Sequence, residues 1–412
     1  MLRKFIGERY FCGLDIGAQS IKASLLKSGE DVKPVVLGVF ETQTHGFKDA
    51  SVSDLADLSE CIHKTIVGLV RKTGVKLKEI QLGMGGELIE PRFSAAVMPL
   101  VDRGTKIITN RDVEKIETQA KLLGVKMDEV VLHHFSQYFK IDDTNTALNP
   151  VGLYGRKLEV KTLLVIVNNM LLKNLIKAVN QAGYDVSNVF FSSLCSAEAV
   201  LSEYQKRQGS VLIDIGSTQL NLLIFKEGQL KYLSSISLGG DHVTRNISQE
   251  LQLAFDLAEN IKQSYAFAIS SESRSDEEIL IKREEGYFPV KKERISHAVE
   301  PVVEKLVDFI TSAINASGFY DQINMGIIMV GGGSLLPGLP ERIEQNINLS
   351  VKLGHVLIAS KRLHNAAKYA SSVGLAQLGL NKAYGFMAHP NGHANFVSFI
   401  ANKIKELYQE YF

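Results

Sequence analysis

Two aspartates carry the first chemical signal in this chain. Asp15 and Asp214 each stand in an Asp-Ile-Gly triplet between two β-type runs, and each unit ends in a Lys-x-Gly turn (Lys27 with Gly29, Lys226 with Gly228). The segments 12–30 (CGLDIGAQSIKASLLKSGE) and 211–229 (VLIDIGSTQLNLLIFKEGQ) match without a gap at a constant spacing of 199 residues. One unit is used twice. Each copy reads as a β-hairpin whose polar turn gathers backbone N–H groups and hydroxyls at one point, a suitable cradle for a phosphate. A carboxylate beside such an anion is useful only with a cation between them, so Asp15 and Asp214 point to a hydrated Mg²⁺ held through water. Two such hairpins facing each other would clasp the phosphates of a nucleotide between two lobes.

Further groups could complete that site. The stretch 326–333 (GIIMVGGG) reads as a buried strand ending in Gly331, Gly332 and Gly333, where the missing Cβ atoms let a planar ligand or a phosphate approach the backbone. Glu259 and Lys262, three apart on a helix expected over 254–267, share a face and could hydrogen-bond a ribose and flank a base. They could equally form a surface ion pair worth less than about 1 kcal/mol, and spacing alone leaves both readings open. His133 and His134 are adjacent, so in a strand they point to opposite faces and do not share a metal.

The elements that must position these groups can be read in order. After the first hairpin, 34–44 supplies a third strand, and 52–72 places Leu55, Leu58, Ile62, Ile66 and Leu69 at helical spacing before Gly74. A strand over 79–86 follows. From Glu87 to about Glu159 the pattern changes to short strands around one helix, 110–123, which reads as an inserted subdomain. A buried strand at 161–167, a helix over 170–182 and a helix over 196–206 resume the core pattern and lead into the second hairpin. Beyond it come Gly239-Gly240, helices over 243–251 and 254–267, a charged hairpin or loop at 270–286, and a long helix over 295–316 with Pro301 near its first turns, where proline is tolerated.

Composition bounds the rest. The chain has 412 residues, 45% hydrophobic and 22% charged, with a formal net charge of +1, which gives no reason to expect nucleic-acid binding. Cys12, Cys61 and Cys195 lack metal-ligand spacing and read as buried thiols. The first residues carry charges where an export signal needs an apolar core, and no run approaches the roughly 20 apolar residues that span a bilayer.

The order of these motifs resembles the actin-like ATPase superfamily: a DIG hairpin, a helix with EAVLSEY, a second DIG hairpin, GG-x-x-x-T, AE-x-x-K, and GGGS-x-x-PG. Within it the chain is similar to the bacterial cell-division FtsA family. The specific match is Asn149 to Glu159 (NPVGLYGRKLE) in the insertion, with Val130, Leu132, His133, Phe135 and Ser136 before it and Tyr369 to Leu375 (YASSVGL) late in the chain. The resemblance implies an α/β, actin-like ATPase fold of two lobes around a nucleotide cleft. Lobe I would comprise 1–84, 160–206 and 365–385; the insertion 85–159; and lobe II 207–364, with 243–322 its smaller subdomain. It also implies ATP and Mg²⁺ as ligands. Asp15, Gly17 and Ser20, with Asp214, Gly216, Ser217 and Thr218, would serve the phosphates and metal. Glu259 and Lys262 would meet the nucleoside, and Gly239, Gly240 and Gly331 to Gly333 would back it. Glu198 falls where actin has the glutamine that orients the attacking water, so the resemblance makes it catalytic beside Asp15 and Asp214. Ala18-Gln19 and Ser217 replace threonine and glycine usual in the family, which implies slow hydrolysis at most.

The C-terminal stretch 394–412 (ANFVSFIANKIKELYQEYF) follows a linker at 386–393 and sets Phe396, Phe399, Ile400, Ile404, Leu407 and Tyr411 on one helical face. Two lysines against two glutamates and the C-terminal carboxylate leave a charge of about −1, so apolar insertion would have to carry membrane binding, weakly for one tail and firmly for many on a polymer. Docking on the body is the other reading. The resemblance favours a peripheral membrane anchor at the cytoplasmic face of the division site, self-association into filaments, tethering of the tubulin-like protein FtsZ through its C-terminal peptide, and contacts with other division proteins. A PilM-like pilus-assembly module and a sugar or metabolite kinase are the alternatives within the same superfamily.

Overall fold

The computed structural model describes residues 8–29, 32–48, 50–143, 145–269, 277–283, 286–360 and 363–383. The linker at 386–393 and the apolar helix expected over 394–412 lie outside the described residues.

Lobe I opens with the expected meander, β1 (Arg9–Ile16), β2 (Ser20–Gly29) and β3 (Val32–Gln43), all antiparallel. Helix α1 (Leu55–Thr73) starts where the Asp54 carboxylate accepts the N–H groups of Ala56 and Asp57, and stops at Gly74, which takes the left-handed conformation. Its buried stripe of Leu58, Ile62, Ile66 and Leu69 covers the sheet. Strand β4 (Glu79–Met84) then lies parallel to β1.

The insertion is built on β5 (Ile89–Pro99), α2 (Asn110–Leu123), β6 (Glu129–Ile141) and β7 (Lys157–Asn168). These three strands are 11 to 13 residues long rather than short. Strand β7 runs unbroken through the expected boundary at 159/160 and pairs with β5 and β6 along its whole length. Its two faces serve different masters: Leu163, Val165 and Val167 join the lobe I core, while Leu158 and Val160 join the core under α2. The insertion is thus welded to lobe I through one strand. As expected, His133 and His134 part company: the Phe191 N–H donates to His133 Nε2, and His134 lies 3.8 Å from Glu117.

Lobe I closes with α3 (Asn169–Gln181), β8 (Asp185–Phe191) and two short helices, α4 (Ser192–Val200) and α5 (Glu203–Gln208). The single helix expected over 196–206 is broken because Ser202 leaves the helical conformation to cap α5 in a reciprocal pair with Gln205. Lobe II repeats the meander with β9 (Ser210–Ile215), β10 (Leu220–Lys226) and β11 (Gln229–Ile236), followed by α6 (Gly240–Leu251) and α7 (Phe255–Tyr265). A hairpin, β12 (Glu278–Arg283) with β13 (Gly286–Lys291), follows; Ile279, Ile281 and Val290 are buried, so one side of this segment is core and only the other is solvated. Helix α8 (Lys292–Ser317) starts three residues earlier than expected. Pro301 therefore sits deep in it rather than in its first turns, and costs one backbone hydrogen bond there. Strand β14 (Ile327–Val330), α9 (Leu339–Ile347), β15 (Val351–Leu353) and α10 (Ala370–Ala383) complete the fold.

The duplication extends well beyond the hairpins. Lobe I has the strand order β3-β2-β1-β4-β8, with the short strand Ala359–Ser360 added outside β3, and lobe II the order β11-β10-β9-β14-β15, with antiparallel meanders followed by parallel strands in both. Alternation along β9 buries Val211, Ile213 and Ile215 in the lobe II core, while Leu212 joins the lobe I core across the base of the cleft.

Helices α4 and α10 pack here at backbone contact. A Cβ added at Gly374 would lie 1.8 Å from the Cys195 carbonyl oxygen. Gly374→Ala is expected to destabilise by about 3 kcal/mol through overpacking, against about 1 kcal/mol for loss of the α1 cap in Asp54→Ala. Urea unfolding of both variants checks this; equal effects would contradict the close packing.

Candidate functional site

A cavity of about 570 Å³ opens between the lobes, and both Asp-Ile-Gly loops line it. The loops share one geometry. The Gly17 N–H donates to the Ser20 carbonyl at 3.2 Å, and the Gly216 N–H donates to the Gln219 carbonyl at 2.8 Å. Those two N–H groups therefore close the turns, and any anion cradle falls to the residues between. Each loop is braced from behind in its own way. In lobe I, Thr44 donates its N–H to the Gln19 carbonyl and its hydroxyl to the Gly17 carbonyl. In lobe II the start of α6 does this with backbone alone: Gly240 N–H to Gly216, and Asp241 N–H to Ser217. Gly239 has to be glycine for that approach, since a Cβ there would stand 2.6 Å from the Gly216 oxygen.

Asp15 and Asp214 are the penultimate residues of β1 and β9, and serines of one helix reach both. Ser192 Oγ donates to Asp15 at 2.7 Å and Ser196 Oγ to Asp214 at 3.2 Å, while Ser371, at the start of α10, donates to the other Asp15 oxygen at 2.5 Å. Burial pushes the Asp214 carboxyl above the ordinary aspartate range; a hydrogen bond from Ser193 opposes this, and the charge of Asp15 adds to it. A cation between the two carboxylates would relieve that strain. No cluster of three or more His, Cys, Asp or Glu side chains that could hold a metal occurs among the described residues. Two carboxylates already carrying hydroxyl partners fit a hydrated Mg²⁺ held through water, and do not fit a metal bound by protein ligands alone.

Glu259 and Lys262 are in the cleft, not on the surface. Lys262 Nζ lies 2.6 Å from Glu259 Oε2, 2.9 Å from the Thr244 hydroxyl and 3.1 Å from the Gly240 carbonyl. Burial opposes ionisation of Glu259, but hydrogen bonds from Lys262, Thr244 and Gln263 outweigh it and hold the carboxyl below its ordinary value. The pair thereby fixes α7 against the first turn of α6, which braces the second loop. Beside the second loop, Gly331 has φ +86° and a Cβ there would meet the Ile215 oxygen at 2.3 Å, so no other residue fits. A Cβ on Gly333 would meet the Ile215 side chain at 2.5 Å, whereas one on Gly332 would meet nothing within 4 Å.

Glu198 departs from its expected place. It does not line the cavity; its carboxylate pairs with Lys206 at 2.6 Å and accepts from Asn381 at 3.3 Å. Ser192, Ser193 and Ser196 occupy the cleft face of α4, and two residues beyond Ser196 the helix has turned away. Sequence reading misses those serines, along with Ser371, Gly85 and Gly86, all of which line the cavity. A signal is present. Asp15 stands opposite Gly83 on β4 as Asp214 stands opposite Val330 on β14, which makes Gly85-Gly86 the lobe I counterpart of Gly332-Gly333.

A family model described as "Cell division protein FtsA" matches residues 211–374, and one described as "SHS2 domain inserted in FTSA" matches residues 91–166. The Cell division protein FtsA of Pseudomonas aeruginosa is 28% identical over 375 residues, covering 90% of this chain and 89% of that protein. Among solved structures, a PilM-PilN type IV pilus biogenesis complex matches with a TM-score of 0.64 at 15% identity, over 90% of this chain and 98% of that one. MreB5 of Spiroplasma citri bound to ADP matches with a TM-score of 0.52 at 12% identity, over 92% and 98%. At such identities these two likenesses speak to the actin-like fold and to nothing finer. The two models of one family together match residues 91–166 and 211–374, more than half of the chain, and a full-length relative carries the same description: the chain belongs to the FtsA family of cell-division proteins.

Proposed function

We propose that this chain is an ATP-binding division protein that polymerises and tethers FtsZ filaments to the cytoplasmic face of the membrane. The observation that carries the nucleotide part is the pair of matched loops, one from each lobe, on a single cavity of about 570 Å³. Asp15 and Asp214 hold Mg²⁺ through water; the ion supplies positive charge to the phosphates. Ser20, Ser217 and Thr218 hold the phosphates, on turns that Gly17 and Gly216 close. Glu259 and Lys262 meet the nucleoside, with Gly239, Gly240 and the 331–333 turn behind it. That the related fold of MreB5 carries ADP supports this reading. Holding ATP fixes the angle between lobes that close on it from both sides, and that angle sets assembly.

The tether rests on the apolar face of 394–412, outside the described residues. No helix among the described residues is long and apolar enough to cross a membrane, which is compatible with peripheral attachment. Shallow insertion of one tail gives weak, reversible binding, and filament formation multiplies it through effective concentration. The PilM alternative has a fold likeness behind it, but the family models that match this chain are both of the FtsA type, and nothing in the cleft favours a sugar kinase.

Two outcomes are expected. Gly332→Ala has room for its methyl, so its thermal midpoint stays within about 2 °C of the parent's, while its ATP affinity falls roughly tenfold as the methyl enters the ligand's space; unchanged affinity would remove the glycine turn from the site. The full chain is expected to co-sediment with anionic liposomes and to carry the C-terminal peptide of FtsZ with it. Deletion of 394–412 should abolish co-sedimentation and leave peptide binding intact. Persistence of sedimentation after the deletion would end the tethering proposal.

A further inference from the structure

With Glu198 turned away, the cleft needs another group if bound ATP is to be hydrolysed. Gln219 closes the second loop and is 6% exposed. Its side chain crosses to lobe I, where a Cβ on Gly86 would lie 3.2 Å from Gln219 Oε1. That oxygen is buried without a hydrogen-bond partner, and of the atoms in that condition among the described residues it is the one whose residue lines the cavity. A buried acceptor with no donor is costly, and such an atom on the wall of a site points to a ligand or water that completes it.

We infer that Gln219 orients the water that attacks the terminal phosphate of bound ATP. This role rests on the ATP-binding reading above. An uncharged amide oxygen is suited to it, because it accepts a hydrogen bond from neutral water without competing with Asp15 and Asp214 for the cation. A glutamine orienting the attacking water is a recurring device in phosphoryl hydrolysis. The water oxygen bonds to the terminal phosphorus, the bond from that phosphorus to the bridging oxygen breaks, and its electron pair stays on ADP. The water's protons leave with inorganic phosphate and solvent; the amide accepts none. Gln219 is therefore a positioning residue. Because its side chain spans from the lobe II loop to the Gly85-Gly86 turn of lobe I, water is held correctly only when the lobes are closed.

The test uses the full chain, with ATP affinity measured by titration calorimetry, phosphate release by a coupled assay, and stability by thermal melting. Gln219→Leu keeps the shape and loses the acceptor; Gln219→Glu keeps an acceptor. We expect Gln219→Leu to release phosphate roughly tenfold or more slowly, with ATP affinity within about twofold of the parent and an unchanged or raised melting temperature without nucleotide, since an unsatisfied polar atom has been removed. Gln219→Glu should recover part of the rate. Parent-like turnover in Gln219→Leu, a parent that binds ATP without measurable hydrolysis, or loss of ATP affinity in Gln219→Leu would each overturn the inference while leaving ATP binding in place. A parent that binds no ATP would instead overturn the ATP-binding reading on which it rests.

Discussion

Ser192 and Ser196 lie one turn apart on α4, and their hydroxyls hold aspartates that belong to different lobes. This is the constraint on which the rest of the molecule depends. A helical turn fixes the two serines within a few ångströms of each other, so Asp15 and Asp214 are brought to one place although they stand 199 residues apart in the chain. The duplicated strand order delivers the two loops to α4 from opposite sides, and the shared core at the base of the cleft keeps them there. Helix α10 closes the arrangement, with Ser371 on Asp15 at its start and Gly374 in backbone contact with α4.

The ion pair of Glu198 with Lys206 takes its meaning from the same helix. It ties the far face of α4 to α5, and Asn381 ties it to the end of α10. Lys206 is buried and also pairs with Glu203 at 2.9 Å, so its charge is shared between the carboxylate of α4 and one at the start of α5. Glu198 thus serves the cleft by fixing the helix whose other face carries the serines. A residue placed by resemblance at a catalytic position is here two residues past the cleft face, and helical phase decides its contacts.

Much of the fold can be read from the sequence because its signals are local. The repeated Asp-Ile-Gly unit, the periodicity of α1, and the glycines that end α1 and β14 each act over a few residues. What escapes such reading depends on contacts between distant segments. That β7 serves two cores cannot be seen from alternation, since a strand buried on both faces reads as a plain apolar run. The break between α4 and α5 follows from a side-chain cap at Ser202 inside a pattern that still looks helical. Pro301 reads as N-terminal because the start of α8 carries no side-chain cap that would mark it. In the site, the aspartates and glycines are legible by type, whereas the partners of Asp15, serines from α4 and α10, come together only through tertiary packing.

The central claim is that Asp15 and Asp214 form one cation site across two lobes rather than two independent supports. A double-mutant cycle on Mg²⁺-dependent ATP affinity tests it most directly, using Asp15→Asn, Asp214→Asn and the pair, with affinities measured by calorimetry with and without Mg²⁺. The account predicts that either single substitution removes most of the gain in affinity that Mg²⁺ provides, and that the pair is scarcely worse than one. Strictly additive losses, or a single variant that retains the full Mg²⁺ dependence, would contradict it.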